Sequence, residues 1–418
     1  MRWTSGSLSQ VPRFADTAKK ERKSQMRSIF KWRVGFSLLM LCIAALLLAA
    51  CGGSSSSGSS ESTGAATEST EAESEESSSE TAEIVPQPPT SEVTEWPIGD
   101  PPKTTPPPKQ NVIWLACELP SCQGGLSLGY KEASEALGWE FEQINYNPLK
   151  ASAAVQEALN KNPDAIFITG IDPAYFEAQA QEAIKKGIPI FNGFSTEDPE
   201  PKKNGVYMNY ENSFGWGLEG KQIAAWAIND SGGKAHALIV AVPEYPIVEA
   251  QAEATAETYA ECPECTSDKL DVSVEDIGGG KVPAKIVAYL QQHPDINYID
   301  FTFGDLLPGV EAALEAAGVG SDTKFIGVES NPTIVKEITE GKVAAWTAQP
   351  QVWSGWFSVD GAIRNFQGEP LTDYQLSGEV PTWVIDSPEA AEGILAEGGE
   401  WAGPKGFREK YEELWGLK

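Results

Sequence analysis

Beyond Lys109 the chain alternates short apolar runs with stretches of helical period, a pattern that predicts an α/β fold on largely parallel sheets. Asn111–Ala116 (NVIWLA) opens it as an unbroken apolar strand, followed by a helix with Tyr130, Ala133 and Leu137 on one face that ends at Gly138. Trp139–Ile144, Asp164–Thr169 and Gly187–Phe191 read as the next strands. Between them lie a helix carrying Val155, Ala158 and Leu159 and a second that Asp172-Pro173 opens and Gly187 stops. The unit then recurs in type without a sequence repeat. Strands are expected at Gly205–Met208, His236–Val242, Lys269–Val274, Tyr298–Phe303, Phe325–Val328 and Val343–Thr347. Helices are expected at Phe214–Asn229, at Val248–Tyr259 and from Pro283 to His293-Pro294. About ten strands exceed what one twisted sheet usually holds, so two doubly wound lobes are expected. Ligands in such folds lie outside the carboxyl ends of strands, which directs attention to the loops that follow them.

The first hundred residues carry a different pattern. Arg27, Lys31 and Arg33 precede an apolar run ending Leu48-Ala49-Ala50-Cys51, as in a secretory signal, and Met26 is its more ordinary start. The run is also nearly long enough for a retained transmembrane helix. The GGSSSSGSS that follows favours a mature chain beginning at Cys51. From Gly52 to Trp96 there are ten Glu and no Lys or Arg, and prolines cluster up to Pro108. Such a segment buries too little to offset the entropy of ordering and stiffens toward polyproline II, so residues 51–110 are expected to form a stalk. As a coil it would reach roughly 40 Å.

Charge narrows the function. Nine of the 31 basic residues and two of the 60 acids lie up to Arg33, leaving 22 basic against 58 acidic residues and a net charge of −36. That surface repels phosphate backbones, so no nucleic-acid partner is expected. The two histidines, His236 and His293, lie near no candidate nucleophile, and acid pairs such as Asp305 and Glu329 arise easily by chance in so acidic a chain. No catalytic residue, metal or cofactor is therefore expected. Asp276-Ile-Gly278-Gly-Gly280 lacks the spacing of a phosphate loop and reads as a flexible link. Cys117 with Cys122, and Cys262 with Cys265, read as two local disulfides of an exported protein; a four-cysteine zinc site and a redox pair are the other readings of such spacings.

The segments NPDAIFITGIDP, AIKKGIPIFN, FGDLLPGVEAALEAAG, FIGVES and EGKVAAWTAQP, in this order, and the closing FREKYEELWGL carry a family resemblance. The chain resembles the type I periplasmic-binding-protein class of solute-binding lipoproteins that serve ABC transporters, and its sugar-binding branch in particular. The resemblance implies two lobes joined by three crossings, about residues 111–210 with 350–380 and 211–349 with 381–418. It further implies a monomer whose Cys51 carries a lipid anchor outside the cell membrane, and a small sugar or sugar-like ligand passed to an ABC permease. Delivery to a receptor or kinase is the alternative.

Carried residue by residue, the family pattern places Gln349 and Asp305 at ligand contacts. Phe194 stands where an Asp is frequent, Gln251 where an Arg is usual, and Glu329 where an Asp follows Gly-Phe. Losing an Asp and an Arg weakens the grip on hydroxyls, so the expected ligand is less polar than a monosaccharide. Glu118 and Gln123, in the first cysteine loop, and Tyr245, after a strand end, complete the candidate site. Of 13 tryptophans, Trp114, Trp226 and Trp346 are expected in the core, while Trp353 and Trp356 are further cleft candidates.

Overall fold

Apolar runs without alternation, such as Val112–Ala116 and Ala165–Thr169, bury both faces of a strand, and both are fully enclosed. A computed structural model describes residues 84–418, which belong to one compact unit. In chain order the first lobe holds β1 (Asn111–Cys117), α1 (Pro120–Gln123), α2 (Gly125–Ala136), β2 (Glu140–Tyr146), α3 (Ala151–Asn160), β3 (Ala165–Thr169), α4 (Glu177–Lys186), β4 (Ile190–Gly193) and β5 (Val206–Tyr210). The second holds α5 (Ser213–Asp230), β6 (His236–Ala241), α6 (Pro246–Tyr259), β7 (Thr266–Asp271), α7 (Val274–Gly278), α8 (Val282–Leu290), β8 (Tyr298–Phe301), α9 (Val310–Ala317), β9 (Lys324–Gly327), α10 (Pro332–Thr339) and β10 (Ala345–Ala348). The chain then returns to the first lobe with α11 (Gln351–Phe366) and α12 (Asp373–Ser377). It crosses again for β11 (Trp383–Ile385) and α13 (Pro388–Ala396), and closes with α14 (Phe407–Leu414).

The sheets have the orders β2-β1-β3-β4-β5 and β11-β10-β9-β8-β6-β7, parallel throughout except for β11. The predicted α/β class with two doubly wound lobes is the observed one. β1 pairs with both β2 and β3, and β6 with both β7 and β8, so connections diverge at these two strands and open a crevice beyond their carboxyl ends. Close helix packing returns α11 to the first lobe: a Cβ on Gly129 of α2 would lie 2.2 Å from the Val352 carbonyl, and one on Gly355 would lie 2.3 Å from the Tyr130 nitrogen.

Several expectations are corrected. β7 runs from Thr266 to Asp271 and not to Val274, because Ser273 and Asp276 form a capping box that starts α7, a short helix where a flexible link was expected. β11 was missed; three residues carry too little pattern. The tail around α14 packs on the first lobe, not the second. Trp415 stacks on Trp356 with centroids 5.2 Å apart and donates to Asp360 at 2.9 Å, and Arg408 pairs with Glu132. Trp356 and Trp353 are thereby core residues, Trp353 stacking on Phe357. Trp114 and Trp346 are fully buried as expected, whereas Trp226 is half-buried and donates to Asp386.

The largest correction concerns the distal stalk. Residues 84–108 form a strap held along both lobes. Ile84 and Val85 bond Asn229 at the end of α5, the Pro89 carbonyl accepts from Val384 on the outer edge of β11, and Glu92 accepts from Trp401. Lys410 lies 4.2 Å over the Trp96 ring. Further on, Arg364 donates to the Asp100 carbonyl, Gln367 to that of Thr104 and Trp139 to that of Pro107, all in the first lobe. Cys51 and the signal lie outside the described residues, among which no helix is long and apolar enough to cross a membrane.

Candidate functional site

The strand ends converge on a cleft that encloses a cavity of about 60 Å³ with a predominantly apolar wall. The first lobe contributes Cys117 and Cys122, joined as a disulfide, with Leu119 and Ser121 between them, Thr169 at the end of β3 and Phe194 after β4. The second contributes Trp216 from α5, Tyr245 and Val248 at the start of α6, Phe303 after β8 and Glu329 after β9. Phe194 packs edge-on against Trp216 with centroids 5.1 Å apart, and Tyr245 edge-on against Phe303 at 6.5 Å. Phe194 and Glu329 both adopt positive φ, 56° and 62°, a conformation that costs a non-glycine residue roughly 1–3 kcal/mol and is tolerated where the surroundings enforce it.

A second, wider cavity of about 410 Å³ adjoins the first through Ser121 and Glu329, and is walled by Asp305, Ser330, Asn331, Gln351 and Glu400 among others. Here the lobes touch: the Ser121 amide donates to Asp305 at 3.2 Å, and the Gly125 amide at the start of α2 donates to Glu400 at 3.1 Å. Neither cavity has a Lys, Arg or His in its described lining. Burial pushes the carboxyls up in pKa. Asp305 is raised, Glu400 is raised to about 7, and Glu329 is raised strongly, by desolvation first and then by Asp305, Glu219 and Glu400. The Tyr245 phenol is raised by burial and then by Asp305, Glu244 and Glu118.

Behind the cleft, buried polar groups join two of the interlobe crossings. Gln349 donates to Glu211 at 2.5 Å and to Glu219 at 3.0 Å, Thr347 donates to Glu219, and Gln351 donates to Glu329 at 3.0 Å. Burial raises both Glu211 and Glu219, and Glu219 raises Glu211 further.

The structure therefore brings Phe194, Tyr245, Asp305 and Glu329 to the two cavities. It does not bring the other four there. Gln349 serves the crossings. Gln251 is fully buried between α5 and α6 beside Thr255, because Gly220 lets the helices close over it. Gln123 donates to the Cys117 carbonyl and accepts from Gln143, bracing the disulfide loop from outside. Glu118 is exposed near Asn147, within electrostatic reach of Tyr245. Trp216, Thr169, Gln351 and Glu400 were missed. Trp216 had a signal, an aromatic among glycines in the first turn of a helix that follows a crossing; Glu400 had none. The second disulfide, Cys262–Cys265, closes the turn after α6. Among the described residues no group of three or more His, Cys, Asp or Glu is placed to hold a metal ion.

Two doubly wound lobes with a cleft between their strand ends define a bilobal binding protein. The chain belongs to the family described as "Periplasmic binding protein domain", whose profile matches residues 126–370. Among solved structures it is similar to a carbohydrate transporter from Acidothermus cellulolyticus in complex with myo-inositol, at TM-score 0.58 and 19% identity over 71% of this chain and 100% of that one. It is also similar to a periplasmic solute-binding protein from Actinobacillus succinogenes with bound D-allose, at TM-score 0.57 and 19% identity over 68% and 100% of the two chains. A third is a solute-binding protein from Agrobacterium vitis with bound allitol, at TM-score 0.58 and 17% identity over 69% and 99%. At these identities the likeness is one of fold. No curated protein matches the chain significantly.

Proposed function

We propose that the protein is the extracytoplasmic solute-binding component of an ABC importer, capturing a small molecule between its lobes and releasing it unchanged to a permease. The observation that carries this reading is the aromatic-walled cleft built from strand ends of both lobes, beside which Ser121 and Asp305 already meet at the adjoining cavity. Ligand contacts made on both sides drive closure, so affinity and lobe position are coupled. The reading includes a lipid on Cys51 as the tether, and it assigns ligand contact to Phe194, Tyr245, Asp305 and Glu329. The sugar or polyol ligands named for the similar structures support a compound of that size.

Mass spectrometry of compounds released by denaturing the purified protein identifies the ligand, and calorimetry then measures the variants. Tyr245→Ala and Asp305→Ala should each weaken binding at least tenfold, about 1.4 kcal/mol. Unchanged affinity in both variants, or a ligand recovered in chemically altered form, would overturn the assignment.

A further inference from the structure

The cleft and its neighbour combine two features that point to one kind of ligand. The first is aromatic: Phe194, Trp216, Tyr245 and Phe303 wall a single cleft, and ring faces attract cations, most strongly where water is excluded. The second is a carboxyl without a counter-charge. Glu329 is buried, lines both cavities, and has Gln351 as its side-chain hydrogen-bond donor. The described ionisable groups facing it are all acidic: Asp305 after β8, Tyr210 and Glu211 at the end of β5, Glu219 on α5 and Glu400 ahead of α14. Burial and these acids disfavour its ionised form until a positive charge arrives to balance it. The cleft also presents buried polar atoms with no hydrogen-bond partner among the described residues, namely the Tyr245 hydroxyl, the Trp216 indole nitrogen and the Thr169 hydroxyl. The indole N–H requires an oxygen acceptor, and the hydroxyls can serve either sense.

An anion is disfavoured by this lining. The first turn of α6 does not reverse that, because the Val248 and Glu249 amides already donate to the Tyr245 carbonyl. A neutral polyol would fill the hydroxyl partners but bring nothing to balance the Glu329 carboxyl among its acidic neighbours. Among the described residues the acids are also not grouped as metal ligands.

We infer that the solute is a small hydroxyl-bearing organic cation, an amine or quaternary ammonium whose nitrogen sits between the aromatic rings and Glu329 while its oxygen meets Trp216 and Tyr245. This rests on the solute-binding reading and names the ligand class of the same cleft. Electroneutrality makes Glu329 the residue that separates charged from uncharged solutes. Asp305 and Glu118 add a favourable field on the way in.

The test uses matched pairs on the mature secreted protein, followed by calorimetry and tryptophan fluorescence. Choline is compared with 3,3-dimethyl-1-butanol, which has its shape without its charge, and glucosamine with glucose. In at least one pair the cation should bind tenfold or more tightly than its neutral partner, and Glu329→Gln should remove that preference without lowering the melting temperature. Preference for the neutral member, equal binding within both pairs, or a preference that survives Glu329→Gln overturns the inference. So does failure of all four to bind at millimolar concentration. Saturable binding of glucose alone would leave the solute-binding reading standing while removing the cationic ligand. Absence of any releasable compound, with no binding in either pair, would remove both.

Discussion

Buried acids dominate the behaviour of single side chains, and Asp300 is the clearest case away from the cleft. It lies fully enclosed on β8, accepts from Tyr259 at 3.1 Å through one oxygen, and has no hydrogen-bond partner among the described residues on the other. Burial raises its pKa to about 7, against about 4 for an unperturbed Asp. The native state thus keeps a proton that the unfolded chain gives up near pH 4. The stabilisation from this group is complete below that value and is lost as pH rises through 7. Asp300→Asn supplies a similar shape with no proton to lose. Its melting temperature relative to the unaltered protein should climb by roughly 5 °C between pH 5 and pH 8, as followed by circular dichroism. A constant difference across that range would mean that Asp300 titrates normally.

Among elements, the strap of residues 84–108 departs furthest from what its composition suggests. Val85 is buried, Trp96 is half-buried under Lys410, and the Pro89 carbonyl occupies the outer edge of β11, where proline suits a strand that has no further neighbour to bond. Removing residues 1–108 should strip these contacts and lower the melting temperature by at least about 5 °C, since burying one such side chain is worth about 1.5–3 kcal/mol. An unchanged unfolding curve for the shortened chain would return the strap to the status of a linker. The strap also marks where the sequence stops being readable. Strands such as Val112–Ala116 announce themselves because a parallel strand covered on both faces must be continuously apolar. The strap is ordered by partners such as Asn229, Val384 and Lys410, far along the chain, and no local period records them. The same limit explains the site. Phe194 and Tyr245 follow visible strand ends, whereas Gln251 looked equally exposed to the cleft until Gly220 allowed α5 to close over it.

For the molecule as a whole, the apparent affinity for any solute is the intrinsic affinity scaled by the fraction of protein in the closed arrangement. That fraction depends on the contacts that cross the cleft, and one of them begins on a loop of this chain's own design. The Cys117–Cys122 disulfide lines the cleft and pins the turn that aims the Ser121 amide at Asp305, with Gln123 bracing it from the other side. Without the bond, the loop must order on every closure, at about 1–2 kcal/mol for each backbone residue fixed. The Cys262–Cys265 bond lies beyond the far end of α6 and lines neither cavity. Replacing both Cys117 and Cys122 by Ser should therefore weaken the bound solute about tenfold or more in calorimetry, while the matching change at Cys262 and Cys265 should alter affinity by less than about twofold. Thermal unfolding of both variants separates a loss of fold from a loss of closure. Equal effects on affinity from the two pairs would show that the first disulfide supports the fold in general and has no particular part in bringing the lobes together.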